Sequence, residues 1–165
     1  MAAPAPVPVL RFLLLAAAAF AAMEVAAYVL HRFLFHGALW RLHRTHHDPA
    51  HGHGDGLEWN DLFSVGFAAV SVGLMWAGRA DPFGSTAFPL GVGVAVYGAL
   101  YFVLHDVYAH GRLGPVKLRN GGAQAVKRAH GRHHRSLTKE GQEPYGLFLF
   151  PPSYGRRFRR KRDGA

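Results

Sequence analysis

Apolar residues in this chain come in long unbroken runs, not at the alternating or every-third-to-fourth spacing of a half-buried strand or surface helix. The runs cover residues 7–30, 62–78 and 86–104. A helix crosses the hydrocarbon core of a bilayer in about 20 residues, with roughly 17 as the lower limit. All three runs therefore predict transmembrane helices, the second only just. RADPFGS at 79–85 is a Pro/Gly turn that joins the second and third into a helical hairpin. Within the first run only Arg11 and Glu24 are charged. AAAAFAA in that run resembles a signal-peptide cleavage region. The apolar character continues past it to Leu30, however, and no Lys or Arg precedes Arg11, so the run is read as a span.

The remaining chain is polar and turn-rich. GRLGPVKLRNGG (111–122) reads as a linker, and AQAVKRAHGRHHRSL (123–137) as a helix. GLFLFPP (146–152) is too short to cross a membrane and suits an interfacial or re-entrant piece. The expected architecture is an all-α integral membrane protein with three to four transmembrane helices and a histidine-rich cap on one side. It forms a single domain over 1–165, with its core at about 20–150 and a basic tail at 153–165.

Charge adds the orientation. Lys+Arg number 19 against 10 Asp+Glu, a net +9. Three spans place segments 31–61 and 105–165 on one side, and these hold 17 of the 19 basic residues, all but Arg11 and Arg79. The positive-inside rule assigns both segments to the cytoplasm. All 12 histidines lie in the same two segments. There is no cysteine, which excludes disulfides, thiolate metal sites and Cys-ligated iron–sulfur clusters.

The histidines are patterned. HRFLFH contains His31 and His36; HRTHH contains His43, His46 and His47; HDVYAH contains His105 and His110; HGRHH contains His130, His133 and His134. The order HX4H, HX2HH is thus used twice. Random placement of this many histidines would give roughly 0.06 HX2HH motifs per chain, so two would arise about once in 500 such chains. One histidine at a membrane edge is commonly an interfacial or hydrogen-bonded polar residue. Four clusters together point to metal.

On a helix, HX2HH puts its histidines at i, i+3 and i+4, on one face where three imidazoles can converge. HX4H separates its pair by about 140° on a regular helix, so the two converge only if the helix end unwinds or widens to a π-turn, or else they face different centres. Gly37 and Gly111 follow these pairs and suit helix ends. Ten histidines exceed the four ligands of a structural zinc and suit two ions. Imidazole accepts Zn, Cu, Fe and Ni alike. Two redox metals at the bilayer edge suit O2 activation against an apolar lipid, which favours iron.

The order of these motifs, with EWNDLF (58–63) opening the second span and VYGALYFVLHD (96–106) closing the third, resembles the bacterial β-carotene 3-hydroxylases. That family belongs to the fatty-acid hydroxylase and sterol desaturase superfamily of membrane di-iron proteins. The resemblance covers roughly residues 20–150. It implies that His31, His36, His43, His46, His47, His105, His110, His130, His133 and His134 ligate two non-haem irons, with no catalytic residue separate from the ligands. It also implies O2-dependent hydroxylation at C3 of β-ionone rings and electrons from reduced ferredoxin or a similar carrier. The tail RRFRRKRDGA has no counterpart in the resemblance.

Other residues carry two readings each. Glu24 lies seven residues before His31, on nearly the same helical face; it is read as holding a histidine ring or as a helix–helix hydrogen bond. Asn60, Asp61 and Asp106 are further candidates to orient ligands, Asp61 being equally a favourable charge at a helix start. Tyr97, Tyr101 and Phe102 would flank a long polyene or simply pack. His51 and His53, in DPAHGHGDG, are expected in solvent. The RRFRRKR tail (156–162) is expected on anionic lipid head groups or an acidic electron carrier. Beside the carotenoid hydroxylase stand a sterol or fatty-acid hydroxylase or desaturase on the same plan, and a His-rich metal transporter. Transporters place ionisable ligands near the bilayer midplane, unlike these clusters.

Overall fold

The computed structural model describes residues 6–48 and 58–155; the 156–162 basic run, His51 and His53 lie outside the described residues. Helix α1 (Pro6–Val29) runs on without a break into a π-helical segment, Leu30–Ala38. Helix α2 (Trp40–His47) follows after Gly37 breaks the ladder with φ −105°, ψ −111°. Helix α3 (Asp61–Gly78) and helix α4 (Ala87–Tyr101) form the hairpin expected around the 79–85 turn. A second π-helical segment, Phe102–Ala109, extends α4. Helix α5 (Gly121–His133) starts two residues earlier and ends four earlier than the sequence suggests, with Asn120 accepting from the Ala123 N–H at 3.1 Å as its N-cap. A single turn, α6 (Pro152–Gly155), ends the described chain.

Among the described residues three helices are long and apolar enough to span a membrane: Val7–Ala38, Asp61–Gly78 and Ala87–Ala109. The protein is an all-helical membrane protein. Residues 7–30 alone, at 1.5 Å per residue, cover about 35 Å, more than the roughly 30 Å hydrocarbon layer. His31 and His36 therefore follow a stretch already long enough to cross it, and the second π-helical segment brings His105 to the same end of the bundle. Helix α4 packs against both α1 and α3. Small residues permit the approach: a Cβ at Gly91 would fall 2.8 Å from the Ser71 carbonyl, and the Ser71 hydroxyl donates to Gly91 O at 2.9 Å. Met23, Val94 and Tyr97 form the core, with Phe20, Phe67 and Phe148 packed on it. Outward-facing Leu13, Val25, Val70 and Trp76 present the apolar exterior that lipid requires. Arg11 reaches the hairpin turn, donating to Gly84 O at 2.6 Å and Thr86 Oγ1 at 2.7 Å, at the end opposite the histidines.

Candidate metal centre

The ten patterned histidines gather at one end of the bundle in two groups of five. His31, His36, His43, His47 and His133 form one; His46, His105, His110, His130 and His134 form the other. Within each, one ligand atom per residue lies within 4.8 Å of all the rest. The HX4H pairs stay together, because both sit in π-helical segments. There Leu39 N–H donates to Leu34 O at 2.8 Å and His110 N–H to His105 O at 3.0 Å. These bonds close five residues back, and the wider turn swings residue i+5 round beneath residue i.

The HX2HH boxes divide, which corrects the expectation that each converges on one point. Relative to the first histidine, i+3 lies about 60° to one side of the helix and i+4 about 40° to the other. Helix α2 sends His43 and His47 into the first group and His46 into the second. Helix α5 does the reverse, sending His130 and His134 into the second and His133 into the first. Each cage thus has one π-helical pair, one i,i+4 pair and one single histidine from the opposite helix, a pseudo-two-fold arrangement.

Ring orientation fixes the chemistry. His31 Nδ1–H donates to Tyr145 O at 2.8 Å, His36 to Lys139 O at 3.2 Å, His47 to Ser136 O at 2.9 Å, and His133 to Gln142 O. His43 Nδ1–H donates to Asn60 Oδ1 at 2.8 Å, and His46 Nδ1–H to Glu58 Oε2 at 3.2 Å. All six partners are acceptors, so Nδ1 carries the proton and a neutral ring turns an Nε2 lone pair inward. Those Nε2 atoms face one another at 3.0 Å for His31–His43, 3.2 Å for His43–His47 and 3.3 Å for His36–His133. In the second cage they face at 3.3 Å for His46–His105 and 2.8 Å for His110–His130. In the first cage two lone pairs cannot hydrogen-bond, and a shared cation resolves the repulsion; in the second, five imidazoles each bring one ring nitrogen within 4.8 Å of the others. Both donor sets are compatible with a metal ion, the first with its outer ring nitrogens held as in metal sites generally.

Protons are poor substitutes for that cation. Burial, against the opposing Asn60 hydrogen bond, pushes His43 down to about 3, and burial with repulsion from neighbouring imidazoliums pushes His47 down to about 2. Burial lowers His133 to about 4 against the opposing Gln142 hydrogen bond, and it lowers His46, His130 and His134 in the same direction.

The surroundings differ between cages. The first is ringed by neutral oxygens. Beside the second, Glu58 holds His46, and an Asp106 carboxylate oxygen lies 3.4 Å from His105 Nδ1. Asp61 touches no ring: it takes the Arg112 guanidinium on both oxygens at 2.6 Å and accepts from the Glu58 N–H at 2.8 Å, and it is the first residue of α3. Glu24 holds no histidine, contrary to one of the two readings above. It accepts from the Tyr97 hydroxyl at 2.7 Å and from the N–H groups of Phe148 and Leu149 at 2.9 and 2.8 Å. Sequence reasoning passed over Glu58 and the four carbonyls. Glu58 stood within the quoted EWNDLF; backbone carbonyls leave no residue-type signal.

A cavity of about 380 Å³ lies among α1, α3 and α4 and reaches the first cage at His31 and His43, with Asn60 and Asp106 at its rim. Phe67, Val94 and Met75 continue it between the spans, and Phe35, Tyr97, Tyr101 and Phe102 line it too. From the other side a cleft bounded by Trp40, Arg44 and Leu137 reaches His47.

A three-span helical bundle carrying two five-histidine cages compatible with metal, the first of them at the mouth of an apolar cavity, defines a class of histidine-rich membrane protein. Residues 16–151 match the family model described as fatty acid hydroxylase, and the chain belongs to that family. It is 37% identical over 135 residues to a protein of Pantoea ananas named beta-carotene hydroxylase, covering 79% of this chain and 72% of that one. A beta-carotene hydroxylase of Paracoccus sp. (strain N81106 / MBIC 01143) is 35% identical over 138 residues, covering 79% and 78%. The beta-carotene 3-hydroxylase 2, chloroplastic, of Arabidopsis thaliana is 35% identical over 137 residues, covering 78% of this chain and 42% of that protein. No solved structure matches the chain.

Proposed function

We propose that this protein is a carotenoid hydroxylase that adds a hydroxyl at C3 of the β-ionone rings, taking β-carotene through β-cryptoxanthin to zeaxanthin. The observation that carries the proposal is the pair of five-histidine cages, the first with its rings anchored from outside and opening onto an apolar cavity, in a chain whose relatives are named beta-carotene hydroxylases. The two groups of five would each hold one non-haem iron. The chemistry supplied by such a pair is reductive activation of O2, one oxygen atom entering a C–H bond and the other leaving as water with two electrons and two protons consumed.

The chain's own residues do the rest. The Nδ1 acceptors keep every anchored ring in the tautomer that offers Nε2 inward. The aromatic and aliphatic walls of the cavity exclude water and hold the hydrocarbon, and its position beside His31 and His43 brings a ring end to the first cage. At about 380 Å³ the cavity is at the lower end of ligand-pocket sizes, which suits one ring and the adjoining carbons of a long polyene, with the remainder in the bilayer. Electrons would come from a ferredoxin-type carrier on the face where the basic residues gather, the cytoplasmic side by the positive-inside rule. The whole chain would work as one membrane domain.

Sterol or fatty-acid oxidation on the same plan is the alternative, and the relatives' names weigh against it. The cages at one end of the bundle, away from the midplane, weigh against transport. The test is pigment chromatography of β-carotene-accumulating cells expressing this chain beside His46→Ala and His133→Ala variants. Hydroxylated carotenoid from the parent alone is the expected result. Untouched β-carotene with well-expressed parent protein overturns the substrate assignment.

A further inference from the structure

Glu24 sits in the first span, 4% exposed, where an ionisable side chain is costly and marks a role. Its Oε2 accepts from the Tyr97 hydroxyl, and its Oε1 accepts from two consecutive backbone N–H groups, Phe148 and Leu149. Those N–H groups belong to a non-helical stretch that turns in against the bundle, with the Phe148 ring 6.0 Å from both Phe20 and Tyr97. Non-helical backbone at an apolar wall needs an acceptor from outside itself, and Glu24 provides one. The fit is close: a Cβ at Gly146 would fall 2.5 Å from Glu24 Oε1.

The same stretch supplies the first cage. Between Ser136 and Tyr145 the chain presents four carbonyls, to His47, His36, His133 and His31 in turn. Residues 136–149 are therefore one strap, four carbonyls along its length and Glu24 at its far end. The acidic partners of His46 and His105 in the second cage, Glu58 and Asp106, lie elsewhere in the chain.

We propose that Glu24 is a positioning residue that acts through this strap on the first cage in preference to the second. By fastening Phe148 and Leu149 it fixes the register of the carbonyls, and through them the tautomer and aim of His31, His36, His47 and His133. Partners that orient a metal-binding histidine commonly change affinity by about 10–100-fold, and here four would shift together. The inference rests on the cages being metal sites, as proposed above.

The experiment uses full-length protein in lipid nanodiscs, loaded with Fe(II) and challenged with a chelator. The parent is expected to hold two irons, Glu24→Leu about one, and Glu24→Gln, which keeps an Oε1 acceptor for both N–H groups, close to two. Gly146→Ala should behave as Glu24→Leu. Adding His105→Ala to Glu24→Leu should remove the remaining iron, whereas adding His43→Ala should not. A second readout needs no metal. Trypsin cleavage after the exposed Lys139 should be at least about ten-fold faster in Glu24→Leu than in the parent, relative to cleavage after Lys117 in the linker. Both irons kept and Lys139 still protected would overturn the proposal. So would equal loss from both cages with faster cleavage everywhere, the sign of general unfolding. If the parent itself holds no iron, the metal reading of the cages falls, and the Lys139 cleavage ratio still decides whether Glu24 holds the strap.

Discussion

His46 and His47 are consecutive residues that face different cages: the Nε2 of His47 lies 3.2 Å from that of His43, and the Nε2 of His46 lies 3.3 Å from that of His105. Helix α2 is thus a wall between two sites, and α5 repeats the device with the roles exchanged.

That division predicts selective loss of metal. His46→Ala should remove iron from the second cage and His133→Ala from the first, each leaving about one iron per chain, since a ligand lost directly weakens binding at its own site. Hydroxylation should fall at least roughly 100-fold in both, because the proposed chemistry needs the pair. Metal analysis beside turnover checks this. Loss of both irons from either variant would mean that the cages are not independent.

Asn60 anchors His43 at the rim of the cavity. Asn60→Leu should weaken iron binding in the first cage by about 10–100-fold, while Asn60→Asp, which retains an acceptor, should bind close to normally. Iron titration of the three proteins measures it, and an unchanged Asn60→Leu would show that the contact is incidental.

Acid should destabilise the metal-free protein. His43, His47 and His133 are held at about 3, 2 and 4 in the fold, against about 6.5 in the unfolded chain. Between those limits the unfolded chain binds protons that the folded one refuses, so stability falls as pH drops below about 6.5 and continues falling towards 4. Each such histidine contributes up to about 1.4 kcal/mol per pH unit in that window. Unfolding followed from pH 8 to 4.5 should show the midpoint dropping, and iron-loaded protein should lose its metal over the same range. A flat profile would contradict the buried, neutral cages.

The cavity gives a prediction separate from metal. Ala95 lines it, and Ala95→Phe would occupy space that a hydrocarbon needs. Turnover of β-carotene should drop several-fold with the iron content unchanged. Unimpaired turnover would place the substrate elsewhere.

Much of the fold was legible because a bilayer imposes one strong rule: backbone polar groups must be satisfied within the segment, so an apolar run of sufficient length becomes a helix. The three spans and the hairpin turn follow from that rule. The ten cage histidines were legible by residue type and spacing, and the HX4H spacing posed the geometric problem that the π-helical segments solve. Glu24 was conspicuous as a buried charge, but its backbone partners stand 124 and 125 positions away, beyond any local pattern. Glu58 and the strap carbonyls were overlooked for a related reason. Helix register says which residues share a face, and it does not say what that face meets.

By itself the sequence determined the three apolar runs, the end of the bundle where the histidines gather and the ten candidate ligands, since hydropathy and residue chemistry are local properties. Only the tertiary structure decided how the boxes divide between two cages, which carbonyl orients which ring, and which cage meets the cavity. Those outcomes depend on how α2, α5 and the strap pack against one another, and a backbone carbonyl is the same group whichever residue bears it.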